Sequence, residues 1–320
     1  MNLQKILNYP IIVTSALAAA TGLADQFTNP SLSPIMVSPA QQYQYEGTRF
    51  ESQVLRSSSE TTVLNRTTDS RSTSTTTGNG LQAAGTWGGG SLPLTGSLHL
   101  GRLSAEQKNK STGATTESTM TSINPSVSVD LYPQVSAGLS VGFNQQDTPD
   151  LPDSSGSSWV EKRVGIAWHN DRAEAGLAWQ PETGDDGDAF HTESRAMIHG
   201  RYRLSPVIAV GGILTKADYS QTSDRSKDVV ETTVTTEFRP VEKVAIEGLY
   251  EYRPAHNKEK ADLSAENMAR QNLLVSTDYQ VRPEWTMGGF LGSEFASETS
   301  DQNDIDDSSM TVGLRGSYSF

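Results

Sequence analysis

Five histidines are the only side chains in this sequence whose ordinary titration falls near neutrality, because it contains no cysteine. His99, His169, His191, His199 and His256 stand in no motif such as Gly-x-Ser-x-Gly or His-Glu-x-x-His, so nucleophilic or zinc-assisted hydrolysis has no recognisable frame. Thiolate catalysis, disulfides and Cys-based metal sites are ruled out by composition. Carboxylates cluster in "GDDGD" (Asp185, Asp186, Asp188) and in "DQNDIDD" (Asp304, Asp306, Asp307). Neither has the spaced ligands and closing Glu of a calcium loop, so both read as solvated loops, with no metal or cofactor expected. With 38 acidic against 25 basic residues and a net charge of −13, the chain repels a phosphate backbone, which excludes nucleic acid as a partner.

The chemistry that remains lies in charges spaced two apart. Arg172, Glu174, Glu193, Arg195, His199, Arg201, Glu247, Glu251, Arg270 and Arg315 all fall on the face opposite the apolar residues of their segments. Arg203, Glu231, Glu237, Arg239 and Arg253 follow the same parity. Earlier segments present Ser122, Asn124, Ser126, Ser128 and Asp130, then Ser136, Ser140 and Asn144, a small and nearly neutral arc. If these faces line a lumen, opposed charges form a constriction that tunes which solutes pass. The other reading is that the charges pair across neighbouring strands and fill the lumen.

Those faces require strands. "SLPLTGSLHLGRL" sets Leu92, Leu94, Leu98 and Leu100 against Thr95, Ser97 and His99, and the terminal "MTVGLRGSYSF" sets Met310, Val312, Leu314, Tyr318 and Phe320 against Thr311, Arg315 and Ser317. Similar runs recur between them, about twelve in all, each near the ten residues of a tilted membrane span. No later stretch supplies the ~20 apolar residues of a spanning helix; a mean hydropathy of −0.48 does not exclude alternating strands. Tight turns ("YPQ", "HND", "LSP", "RPVE", "VRPE") alternate with longer polar connections, as periplasmic turns alternate with external loops. Trp168, Phe238, Tyr279, Trp285, Tyr318 and Phe320 fall near the tight turns. Phe143, Trp159, Trp179, Phe190, Tyr219, Tyr252 and Phe295 fall near the longer connections, so two interfacial belts are expected. Upstream, "GLQAAGTWGG" and a partner from about Gln42 to Leu55 raise the count to about fourteen, with residues 57–80 as an external loop; twelve strands with an N-terminal extension is the alternative. The fold class expected is all-β: an antiparallel up-and-down transmembrane barrel.

The segment 1–24 has Lys5, an apolar centre and small residues before Asp25, the layout of a cleaved secretory signal. Residues 25–41 precede a barrel of residues 42–320. Asp25, Asn29 and Pro30, followed by an apolar stretch, a second Pro and an aromatic strand, resemble the N-terminal hatch of the FadL-type outer-membrane transporters of long-chain fatty acids. That family has Ala where this chain has Ser31. The resemblance implies a fourteen-stranded monomeric barrel moving hydrophobic molecules past a hatch. A terminal Phe320 with Tyr318 resembles the signal read by the barrel assembly machinery. The expected setting is the outer membrane of a Gram-negative bacterium, among its lipid and lipopolysaccharide. The expected function is passive or facilitated diffusion of small molecules, hydrophobic ones as the resemblance implies, rather than catalysis. A general porin with a charge-lined lumen, or a non-conducting barrel anchoring surface loops, are the alternatives.

Overall fold

The computed structural model describes residues 40, 47–66, 68–88, 94–147, 157–181, 184–185, 191–220, 226–254, 267–299 and 303–320. Fourteen long antiparallel strands form one closed sheet: β1 (Gly47–Asn65), β2 (Ser70–Gly88), β3 (Leu94–Asn109), β4 (Thr115–Tyr132), β5 (Val135–Asp147), β6 (Ser157–His169), β7 (Ala173–Gln180), β8 (His191–Ser205), β9 (Ile208–Ser220), β10 (Ser226–Val241), β11 (Val244–Arg253), β12 (Asn267–Arg282), β13 (Trp285–Thr299) and β14 (Asn303–Ser319). A two-residue stretch, Gly184–Asp185, pairs with Trp159 and Val160 beyond the end of β7. Each long strand pairs with its sequence neighbours, and β1 pairs with β14 from Arg49 opposite Ser319 to Asn65 opposite Asn303. Closure leaves no sheet edge, the condition for backbone amides to be satisfied inside a bilayer. The count is fourteen, not twelve.

The alternation read from the sequence decides which face meets lipid. Phe50, Val54, Leu81, Trp87, Leu98, Leu100, Ile123, Leu139, Leu177, Leu291, Val312 and Leu314 are all exposed on the outside, where hydrocarbon replaces water. Trp168, Phe238, Tyr279, Trp285 and Phe320 are exposed at the tight-turn end, and Phe143, Trp179, Tyr252 and Phe295 at the other. These are the two belts expected. Phe190 and the side chain of Tyr219 lie outside the described residues.

Three of the tight turns begin with proline: Pro133, Pro206 and Pro283. Its fixed φ suits the first corner of a common turn, and among the described residues the sole non-glycine with positive φ is Asp69, at the opposite end of the barrel. Such turns twist against the flanking strands, and the register correspondingly shifts beside them, between Asp130 and Tyr132, Ile208 and Ala209, and Gln280 and Arg282.

The closing seam is marked by aromatics. The Phe320 amide donates to the Thr48 carbonyl at 2.8 Å, and its ring meets Phe50 edge-on at 5.8 Å and Tyr318 at 4.7 Å. Tyr318 in turn meets Trp285 at 5.7 Å.

Two expectations are corrected. Residues 57–80 are not an external loop: β1 and β2 continue to a tip at Arg66–Asp69. Likewise residues 105–109, 115–117 and 303–307 are strand, and Asp304, Asp306 and Asp307 belong to β14 rather than to a loop. Above the lipid-facing band both faces of a strand are polar, so no alternation marks it: Ser57, Ser59 and Thr61 point inward while Ser58 and Glu60 point outward. The rim is tied by ion pairs, Arg66 to Asp304 at 2.7 Å and Lys110 to Glu60.

Candidate lumenal site

The lipid band occupies the outward face, so selectivity must come from the inward one. Cross-strand pairing sorts inward residues into rows around the circumference. One row starts at Phe290 on β13, passes Gly313 on β14, Leu55 on β1, Gly80 on β2, Leu103 on β3 and Met120 on β4, and ends at Gln146 on β5. Leu55, Leu103 and Met120 are buried, and Phe290 and Trp159 pack against them. The glycine between Phe290 and Leu55 is needed: a Cβ on Gly313 would lie 2.1 Å from Cζ of Phe290, so the ring lies over the glycine toward the cluster. An apolar layer thus crosses part of an otherwise hydrophilic lumen. A smaller one joins Ala178, Met197 and Ile213 on β7 to β9.

The next row toward the tight-turn end is polar: Trp159 stands opposite Asn144, then follow Ser122, Gly101, Gln82, Gln53 and Arg315. Gln53 Nε2 donates to Gln82 Oε1 at 2.6 Å, and Ser97 and Ser126 share a 2.6 Å hydrogen bond between hydroxyls further down. The arc over β4 and β5 is nearly neutral, as the sequence implied, with Asp130 accepting from the Ser136 hydroxyl at 2.8 Å.

The far wall, β7 to β14, carries charge in complementary sets. His199 Nδ1 lies 3.3 Å from Glu174 Oε1, with its ring over Gly176, where a Cβ would be 2.3 Å from Nε2. Arg201 and Arg239 share Glu237; Arg253 Nη1 lies 3.2 Å from Glu231, and Arg270 Nε lies 2.9 Å from Glu294. Arg315 spans two strands: Nε donates to Asp278 Oδ1 at 2.7 Å, and Nη2 to Ser276 at 3.2 Å and to Glu247 at 3.3 Å. Arg49 and Glu51 pair nearby at 2.6 Å. Where both members are buried, as in His199–Glu174 and Arg270–Glu294, partnering is obligatory, since an unpaired buried charge is costly.

Of the residues singled out by spacing, Glu174, His199, Arg201, Glu247, Arg270 and Arg315 belong to these sets, and Arg195 and Glu251 are half-buried on the same wall. Arg172 does not belong: it lies exposed in the turn before β7. The side chain of Glu193 falls outside the described residues, as do Asp25, Asn29 and Pro30. Trp159, expected in the outer belt, points inward and packs on the apolar layer. Sequence reading also missed Leu55, Leu103, Met120 and Phe290 as lumen residues. Val54-Leu55, Trp159-Val160 and Phe290-Leu291 are adjacent apolar pairs, and in a two-sided strand one member of such a pair must face inward.

No protein-family model matches this sequence, and no curated protein is similar to it. Solved structures do match. The Pseudomonas putida toluene transporter TodX superposes with a TM-score of 0.64 at 9% identity, over 91% of this chain and 94% of its own. The Ralstonia pickettii toluene transporter TbuX gives 0.62 at 12% identity, and a Pseudomonas aeruginosa FadL homologue 0.63 at 10%, each over 91% of this chain and 94% of theirs. The fold is the FadL-type barrel. At such low identity the FadL-type likeness concerns architecture, fourteen strands closed around a lumen, and the lining described above is this chain's own.

Proposed function

We propose that this chain is a channel of the Gram-negative outer membrane through which small hydrophobic molecules diffuse. The observation that carries this reading is the apolar layer of Leu55, Leu103, Met120, Trp159 and Phe290 inside the lumen. A water-filled pore gains nothing by turning such side chains inward, whereas a binding site for apolar ligands is lined by them, with a few polar groups for orientation. Solved channels of this fold whose names specify toluene or monoaromatic hydrocarbons support the same substrate class. The charged wall then acts as lining: Arg315, Arg270, Arg253 and Arg201 face carboxylates of this same chain, which cancels most of their field.

In this reading residues 25–41 form a hatch. Ala40 is the one residue of that segment among those described, and it is fully buried. Asp25, Asn29 and Pro30 would anchor the hatch, and Tyr318 with Phe320 would serve assembly, which their place on the closing seam supports. Cells producing the protein should take up radiolabelled toluene faster than vector controls, while liposomes carrying the purified barrel should swell in an iso-osmotic sugar no faster than empty ones. Rapid sugar swelling with unchanged toluene uptake would establish an open porin instead.

A further inference from the structure

Asn144 has the wrong chemistry for the wall of a pure hydrocarbon path. The residue is only 3% exposed, yet neither Oδ1 nor Nδ2 has a hydrogen-bond partner among the described residues. Leaving both halves of a buried amide unpaired costs more than any single lost hydrogen bond, so such a group is ordinarily satisfied by something. On β5 it stands directly opposite Trp159, whose ring packs on Leu55, Leu103 and Met120. The amide therefore borders the apolar layer, where a bound molecule would lie.

We propose that the lumen selects aromatic molecules bearing one un-ionised hydroxyl, with the ring against Trp159, Met120 and Leu103 and the hydroxyl on Asn144. The inference rests on the hydrophobic-channel reading and names its substrate class. A phenolic hydroxyl suits the amide because it can donate to Oδ1 or accept from Nδ2. An ionised acid does not, because the Glu161 carboxylate accepts from the Trp159 indole N–H at 3.3 Å and puts negative charge beside the same ring. A hydrocarbon of equal shape would bind while leaving the amide unpaired, and a site built to hydrogen-bond a hydroxyl discriminates against the analogue that lacks it.

The test compares p-cresol with p-xylene, which differ by a hydroxyl in place of a methyl group. Binding to the purified full-length barrel is read from tryptophan fluorescence with Trp159→Phe as the control; Trp87, Trp168, Trp179 and Trp285 are exposed on the outer surface and supply the background. Asn144→Leu keeps the branching at Cγ and removes the hydrogen bonds. It should weaken p-cresol about tenfold and leave p-xylene unchanged or tighter, and comparing variants cancels partition into detergent. If Asn144→Leu fails to give a heat-modifiable barrel, Asn144→Val carries the same comparison. Equal changes for both ligands, or none for either, would overturn the proposal while leaving the hydrophobic channel intact. Absence of binding by both ligands to the unmodified protein would remove the proposal and the channel reading together.

Discussion

Arg315 shows how a single residue holds the lumen wall. Its guanidinium reaches Asp278 and Ser276 on β12 and Glu247 on β11, crossing the inward side of β13 from β14. The crossing is possible because the intervening position is Gly288, where a Cβ would sit 2.0 Å from Asp278 Oδ1. The sign of a substitution follows from what it leaves behind. Arg315→Met removes the cation and strands two half-buried carboxylates, which should lower stability by about 2 kcal/mol in urea unfolding of the reconstituted barrel. Adding Glu247→Gln and Asp278→Asn removes the stranded charges, and most of the loss should be regained. A triple variant as unstable as the single one would show that Arg315 contributes through packing rather than by balancing charge.

Strands act at the next scale, and β4 carries an anomaly. Pro125 lies mid-strand in a closed sheet, where every residue has two neighbouring strands and an amide is normally required. Pairing with β3 continues through Leu98 opposite Pro125. Pairing with β5 stops after Ile123 opposite Phe143 and resumes in the same register at Ser126 opposite Ser140. The ladder is interrupted without a bulge, so Pro125→Val should restore a bond and raise the thermal midpoint for loss of heat-modifiable mobility by an amount equivalent to about 1 kcal/mol. An unchanged or lower midpoint would mean that the gap is closed by other means. Strands such as β3 and β14 were legible in the sequence because lipid on one side and water on the other impose a period of two on their spans. The upper halves of β1 and β2 were not, since Ser and Thr occupy both faces once the strand leaves the lipid. Charges on the far wall were legible by the same parity, except Arg172, where the strand begins one residue later. The apolar layer was hidden because Leu55, Met120 and Phe290 reverse that parity, and because Trp159 at a strand end fits an interfacial belt as readily as a lumen.

For the whole molecule, the decisive quantity is whether the lumen is a continuous aqueous path. A fourteen-strand barrel is wide enough that lining side chains alone need not fill it, and the apolar layer crosses only part of the lumen. Something must close the middle if the channel is to pass hydrophobic molecules without leaking ions. Residues 25–41 precede β1 in the chain, and the hatch proposed for them would supply that closure. Planar-bilayer recordings should therefore find the full barrel nearly silent, and a variant lacking residues 25–41 should open long-lived conducting steps. Because these paired opposite charges line one wall of the barrel, the cation-to-anion preference of the opened path should shift when Arg270 and Arg253 are replaced by Gln, leaving Glu294 and Glu231 to attract cations. Conductance that is equal with and without the segment would mean that an open aqueous pore runs past the apolar layer, and the hatch would have no closing role.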